Sequence, residues 1–136
     1  MAVDADRDAL WPLVREFATS FVPRRADFDA VLPRLLARQD DTLVLVAESA
    51  DGAVVGYLLA STHLTFLANG PVAWVEEVMV DAAHRHRGIG RLLMREAEHW
   101  AAERGAAYVS LASRRAGAFY TALGYDESAV FFERAV

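Results

Sequence analysis

"VEEVMVDAAHRHRGIGRLLM" (residues 75–94) changes period halfway along. Residues 72–80 form an apolar run interrupted only by Glu76 and Glu77, the composition of a strand inside a sheet. Residues 81–87 then carry a polar loop. From Gly88 onward, Ile89, Leu92, Leu93, Ala97, Trp100 and Ala101 hold one helical face as far as Arg104, and Gly105 supplies a C-terminal stop. "AYVSLA" (107–112) is again a short buried run. Strand, helix and strand in that order predict a right-handed βαβ crossover, with 72–80 and 107–112 as parallel neighbours.

Upstream of this unit the signals are those of an antiparallel meander. "TLVLVAE" (42–48) is one strand, Asp51-Gly52 a hairpin turn, residues 54–68 a second strand with Gly56 marking a bulge, and Asn69-Gly70 a second hairpin turn. Two helices come first. One carries Leu10, Leu13, Val14, Phe17 and Phe21, with Asp8 as its cap and Pro12 in its first turn; the other carries Phe28, Val31, Leu32, Leu35 and Leu36. Downstream, residues 116–125 predict a short helix ending at Gly124, and "AVFFERAV" (129–136) a closing strand that could also pair across a homodimer. The expectation is an α/β fold: one domain over 1–136, with a mixed, mostly antiparallel central sheet, helices on both faces and a βαβ crossover.

Composition narrows the function. The chain has 136 residues, 54% of them hydrophobic, which suffices for one core. It has no cysteine, which removes thiolate nucleophiles and disulfides and fits a reducing cytoplasm. Neither a signal peptide nor a membrane span is expected from its apolar runs. A net charge of −5 argues against a nucleic-acid partner, since phosphate backbones call for a basic face.

Against that acidic background, "HRHRGIGR" (84–91) is a local positive cluster. A helix N-terminus offers unpaired N–H groups and partial positive charge, glycines allow close approach, and Arg85, Arg87 and Arg91 add charge-assisted bonds, so the stretch suits a pyrophosphate. It is not a P-loop, and the third glycine of a dinucleotide fingerprint is Leu93 here. His84 and His86 form an H-x-H pair, but no spacing supplies a third ligand, so no metal is expected. A solvated turn capping the helix is the remaining alternative.

Arg85-His86-Arg87-Gly88-Ile89-Gly90 reads R-x-x-G-x-G, and "AGAFYTALGY" (116–125) places Ala116, Phe119, Tyr120, Gly124 and Tyr125 in an A-x-x-F-Y-x-x-x-G-Y pattern. Behind an antiparallel meander, these two segments resemble the GNAT superfamily of acetyl-CoA-dependent N-acetyltransferases over nearly the whole chain. The resemblance implies that the main chain of Val78, Met79 and Val80 bonds the pantetheine arm of acetyl-CoA. It implies that the N–H groups of Arg85, His86, Arg87, Gly88, Ile89, Gly90 and Arg91 hold the pyrophosphate. Tyr120 falls where the family protonates the departing thiolate, and Glu76 where some members have a general base, with Glu77 beside it on the other face. The chain departs from the pattern at Ala82, His86 and Ser113, where many members carry proline, glycine and a coenzyme-contacting asparagine. The usual first strand is reduced or missing.

Chemistry agrees with these assignments. An amine attacks a thioester as the free base, so a carboxylate must take its proton, and a tyrosine hydroxyl eases thiolate departure. Alternatives for the two glutamates are ion pairs with Arg114 or Arg115. Trp11, Phe17, Phe21 and Phe28 are expected mainly in the core, with one or two lining an acceptor pocket. A small cationic amine is the favoured acceptor, and a non-catalytic acyl-CoA sensor of the same fold is the alternative function.

Overall fold

A computed structural model describes residues 1–18, 21–114 and 116–136. After a short 3-10 turn at Asp4–Asp6 come helices α1 (Arg7–Phe17) and α2 (Arg25–Leu36). Strands β1 (Thr42–Glu48), β2 (Val54–Thr65) and β3 (Gly70–Val80) follow, then α3 (Ile89–Glu103), β4 (Val109–Leu111) and α4 (Gly117–Ala122). The sheet order is β1-β2-β3-β4; the first two pairings are antiparallel and β3–β4 is parallel across α3, as the period changes predict.

Each face of the sheet is covered because each presents its own apolar set. Leu58, Ala60, Ala73 and Val75 pack against Leu93, Met94, Ala97, Trp100 and Ala101 of α3. Tyr57 and Met79 point the other way, onto Leu10 and Leu13 of α1 and Leu32 of α2. The first two helices are also tied by charge: Arg7 bonds Asp4 and Asp29, and Arg25 bonds Asp29 and Asp8. Among the described residues no helix is long and apolar enough to cross a membrane.

Several boundaries move. Helix α1 starts at Arg7, so Pro12 lies in its second turn and Asp8 is a first-turn residue paired with Arg25 rather than a cap. It ends at Phe17, because Ala18 is already extended, and Phe21 is left exposed. Strand β2 stops at Thr65; Asn69 and Gly70 take positive φ in the hairpin tip, and Phe66 and Leu67 are fully exposed there. A bulge does sit beside Gly56: Ala47 faces Gly56 but Glu48 faces Val54.

The closing strand is a correction. Residues 129–136 join no ladder. Phe131 instead stacks on Trp74 of β3 (centroids 6.2 Å apart, planes at 26°), and Glu133 pairs with Arg114. The segment therefore crosses a face of β3 instead of extending the sheet. Alternating apolar residues make a strand only where a backbone edge receives them, and β4 is three residues long.

Candidate active site

The site begins with a mismatch in strand length. Strand β4 pairs with β3 only at Ala73, Trp74 and Val75. From Glu76 to Val80, β3 is bonded to β2 on one side, and its other edge has no strand partner among the described residues. Such an edge presents main-chain donors and acceptors to whatever enters the gap. Val78, Met79 and Val80, the residues expected to bond an extended ligand, lie along it.

A bulge sits where the gap opens. Ala60 of β2 faces Val75, and the next residue, Leu59, faces Glu77, so Glu76 is the extra residue. Such an insertion resets the alternation of side chains. Trp74 opposite Ser61, Glu77 opposite Leu59 and Met79 opposite Tyr57 consequently share the α1/α2 face. The expectation that Glu76 and Glu77 point to opposite faces is thus corrected. Glu76 is exposed and lines a cleft with Ser61, His63 and Trp74 on that same side.

Glu77 is half-buried and accepts a hydrogen bond from the Tyr57 hydroxyl at 2.6 Å. Burial pushes its pKa above the ordinary carboxylate value, the Tyr57 bond opposes the rise, and the neighbouring Glu76 charge adds to it. Burial first, and then the charge of Glu77, raise the Tyr57 pKa, so that hydroxyl stays protonated as a donor. Of the two arginines named as alternative partners, Arg114 pairs with Glu133, and Arg115 lies outside the described residues. Sequence reasoning missed Tyr57. Its signal is a tyrosine in a buried strand, where a hydroxyl needs a partner.

Tyr120 sits on the opposite side of the gap. It packs against the α3-side core, edge-on to Phe119 and Tyr125, and burial raises its pKa. The Tyr125 hydroxyl donates to Glu98 at 2.7 Å; for Tyr120 no such bond is recorded among the described residues. The structure therefore gathers the candidates into two sets, a neutral phenol on one face and two carboxylates on the other, with the gap between β3 and β4 dividing them.

The glycine stretch opens α3 with N–H groups outside the helical ladder and arginines beside them. The first bond of α3 runs from the Leu92 N–H to the Gly88 carbonyl, so Ile89, Gly90 and Arg91 keep N–H groups outside the helical ladder. No side chain caps this end, and its first turn holds no acid. Gly88 has φ +82°, a conformation that disfavours any side chain. At Gly90, a Cβ would stand 3.2 Å from the Phe119 ring, which would have to give by a few tenths of an ångström, so this glycine eases the approach of α4 to α3. Arg87 and Arg91 are exposed beside the N–H groups.

Three polar side chains around the stretch have partners within the protein. Arg85 turns back to donate to the Val80 carbonyl at 3.2 Å and bracket the end of β3. The Ser113 hydroxyl accepts the Ala116 N–H and shapes the entry to α4. His84 bonds Asp81 at 3.1 Å.

His86 itself adopts φ +63°, which accounts for glycine being usual at that position. A non-glycine residue there pays about 1–2 kcal/mol, and glycine returns part of that through unfolded-chain entropy. His86→Gly should therefore raise stability by about 0.5–1 kcal/mol. Urea titrations of both proteins check this, and equal midpoints would show that the loop carries no strain.

Residues 7–125 match the model of the acetyltransferase (GNAT) family. The chain belongs to that family. A probable glucosamine 6-phosphate N-acetyltransferase of Oryza sativa subsp. japonica is 34% identical over 112 residues, 77% of this chain and 66% of that protein. Streptothricin acetyltransferase of Streptomyces lavendulae is 38% identical over 71 residues, 52% of this chain and 35% of that protein. The chain thus spans from about a third to just under two thirds of these relatives. Among solved structures, an aminoglycoside antibiotic 6'-N-acetyltransferase of Acinetobacter haemolyticus superposes with TM-score 0.79 at 26% identity, covering 99% of this chain and 96% of that one. The glucosamine-6-phosphate N-acetyltransferase of Arabidopsis thaliana gives TM-score 0.87 at 18% identity, covering 98% and 94%, which is a likeness of fold. GNAT membership thus agrees with the divided sheet and the uncapped α3 terminus.

Proposed function

We propose that this GNAT protein is a cytoplasmic, acetyl-CoA-dependent N-acetyltransferase that passes the acetyl group directly to a small cationic amine. The observation that carries the proposal is the divided site: the gap in the sheet has a protonated phenol on one side and two adjacent carboxylates on the other. The residues present fit the coenzyme. The β3 edge over Val78, Met79 and Val80, without a strand partner among the described residues, suits an extended amide-bearing arm, and the N–H groups of Ile89, Gly90 and Arg91, with Arg87, suit a pyrophosphate. Acetyl-CoA supplies the thioester.

The chain's own groups do the rest. Glu77, held by Tyr57 and with its pKa raised, takes the ammonium proton, directly or through water. Glu76 keeps the α1/α2 side of the gap attractive to cations. Tyr120, neutral and free of a recorded partner, delivers a proton to the leaving sulfur. No enzyme nucleophile takes part, in keeping with a chain without cysteine. Support also comes from the relatives, whose names describe acetyl transfer to amine-bearing compounds.

The test is a thiol-release assay with acetyl-CoA across a panel of primary amines, each paired with its alcohol analogue. Coenzyme A should appear in step with acetylated amine and only with the amines. Release that is independent of the amine would reduce the activity to thioester hydrolysis and overturn the proposal.

A further inference from the structure

The cleft against Glu76 has a chemistry of its own. It encloses ≈ 450 Å³ beside Val75, Glu76 and Ala112, where β3 and β4 part, so it opens onto the place where acetyl transfer would occur. Two aromatic faces form its wall: Trp74 of β3, half-buried, and Phe131 of the C-terminal segment, 55% exposed and stacked on it. Ser61 and His63 of β2 line the same space, and among the described residues neither side chain has a recorded hydrogen-bond partner. An aromatic wall, two hydrogen-bonding groups without a partner among the described residues and one carboxylate thus converge on a single volume.

We infer that this cleft is the acceptor subsite and that it selects an amine carried on a hydroxylated ring. The ring packs on the wall that the stacked Trp74 and Phe131 make together, because a flat aromatic wall offers broad contact to a cyclic body and little to a flexible chain. Its hydroxyls meet Ser61 and His63, each able to donate and accept. Its ammonium is drawn to Glu76 and to the negative face of the indole. The volume takes a body of one or two rings. A segment that leaves the sheet thereby becomes a specificity element, with Phe131 supplied by residues that make no ladder. This inference rests on the N-acetyltransferase reading for its chemistry but not for binding.

The experiment compares glucosamine with the linear diamine putrescine at saturating acetyl-CoA, using wild type, Trp74→Ala and Phe131→Ala. Glucosamine should be favoured in kcat/KM by about tenfold or more, the worth of one good ring contact. Each substitution should raise its KM about tenfold with little change in kcat, and leave putrescine unaffected. Phe131 is exposed, so its variant remains informative where Trp74→Ala fails to fold. In parallel, saturation-transfer NMR with desulfo-coenzyme A reads glucosamine ring contacts without turnover.

Equal use of the two amines, or equal damage to both by Phe131→Ala, would overturn the subsite while acetylation itself stood. Ring contacts that vanish with Phe131→Ala in a protein that acetylates neither amine would uphold the subsite and overturn the catalytic reading. Wild-type protein that shows no ring contacts would overturn the subsite.

Discussion

Replacing Gly88 by glutamate should abolish acetyl-CoA binding, weakening it at least a hundredfold by calorimetry. Two effects add. Gly88 is held at φ +82°, where an L-residue costs about 1–2 kcal/mol, so the loop must shift away from the conformation that presents the N–H groups of Ile89, Gly90 and Arg91. The new carboxylate also stands at an uncapped helix N-terminus without competing acids, where it satisfies the same N–H groups and excludes the pyrophosphate by charge. There is open space for a Cβ at this position, so the core need not be disturbed. Gly88→Ala separates the terms: it keeps the strain, omits the charge, and should lose affinity by about tenfold. If Gly88→Glu binds acetyl-CoA as the wild type does, the stretch is a solvated helix cap.

Glu77→Gln should lower kcat by about a hundredfold, the lower range for loss of a general base, and at the same time make the protein more stable. Burial raises the folded pKa of Glu77 above the ordinary value of 4.5. A group with a raised folded pKa contributes its stability fully below the unfolded pKa and loses it as pH rises through the folded one. Wherever Glu77 is ionised, its charge is therefore a cost that activity requires, and glutamine removes it while still accepting the Tyr57 bond. Melting temperature should fall between acidic and neutral pH less steeply in the variant than in the wild type. The acidic limb of kcat/KM, set above the ordinary carboxylate value in the wild type, should disappear. A Glu77→Gln protein with wild-type kcat and pH profile would move the base to Glu76, for which Glu76→Gln is the companion measurement.

The sequence carried the order of elements because local signals bounded each one. Asp51-Gly52 and Asn69-Gly70 folded the hairpins, the shift from strand to helical spacing at Gly88 exposed the crossover, and Gly105 and Gly124 took the positive φ that ends their helices. Features that depend on a partner's register were not legible. Nothing local to Glu76 says that Ala60 and Leu59 will face Val75 and Glu77, so the shared face of the two carboxylates appears only in the ladder. Residues 129–136 carry strand-like alternation, yet Phe131 finds Trp74 instead of a backbone edge. Tyr57 and His63 read as ordinary strand residues because their roles come from opposite or adjacent strands. His86 was visible as a departure from the family pattern, and its left-handed backbone supplies the reason.

The bulge also makes Glu76 an indel in the ladder. Val75 and Glu77 already face consecutive residues of β2, Ala60 and Leu59, so excising Glu76 would leave both flanks in their present pairings and every other side chain on its present face. The strand would heal without rewiring. A bulged strand and a regular one thus lie one codon apart on the same scaffold, and the shared face of the two carboxylates can be lost by deletion more simply than by any substitution.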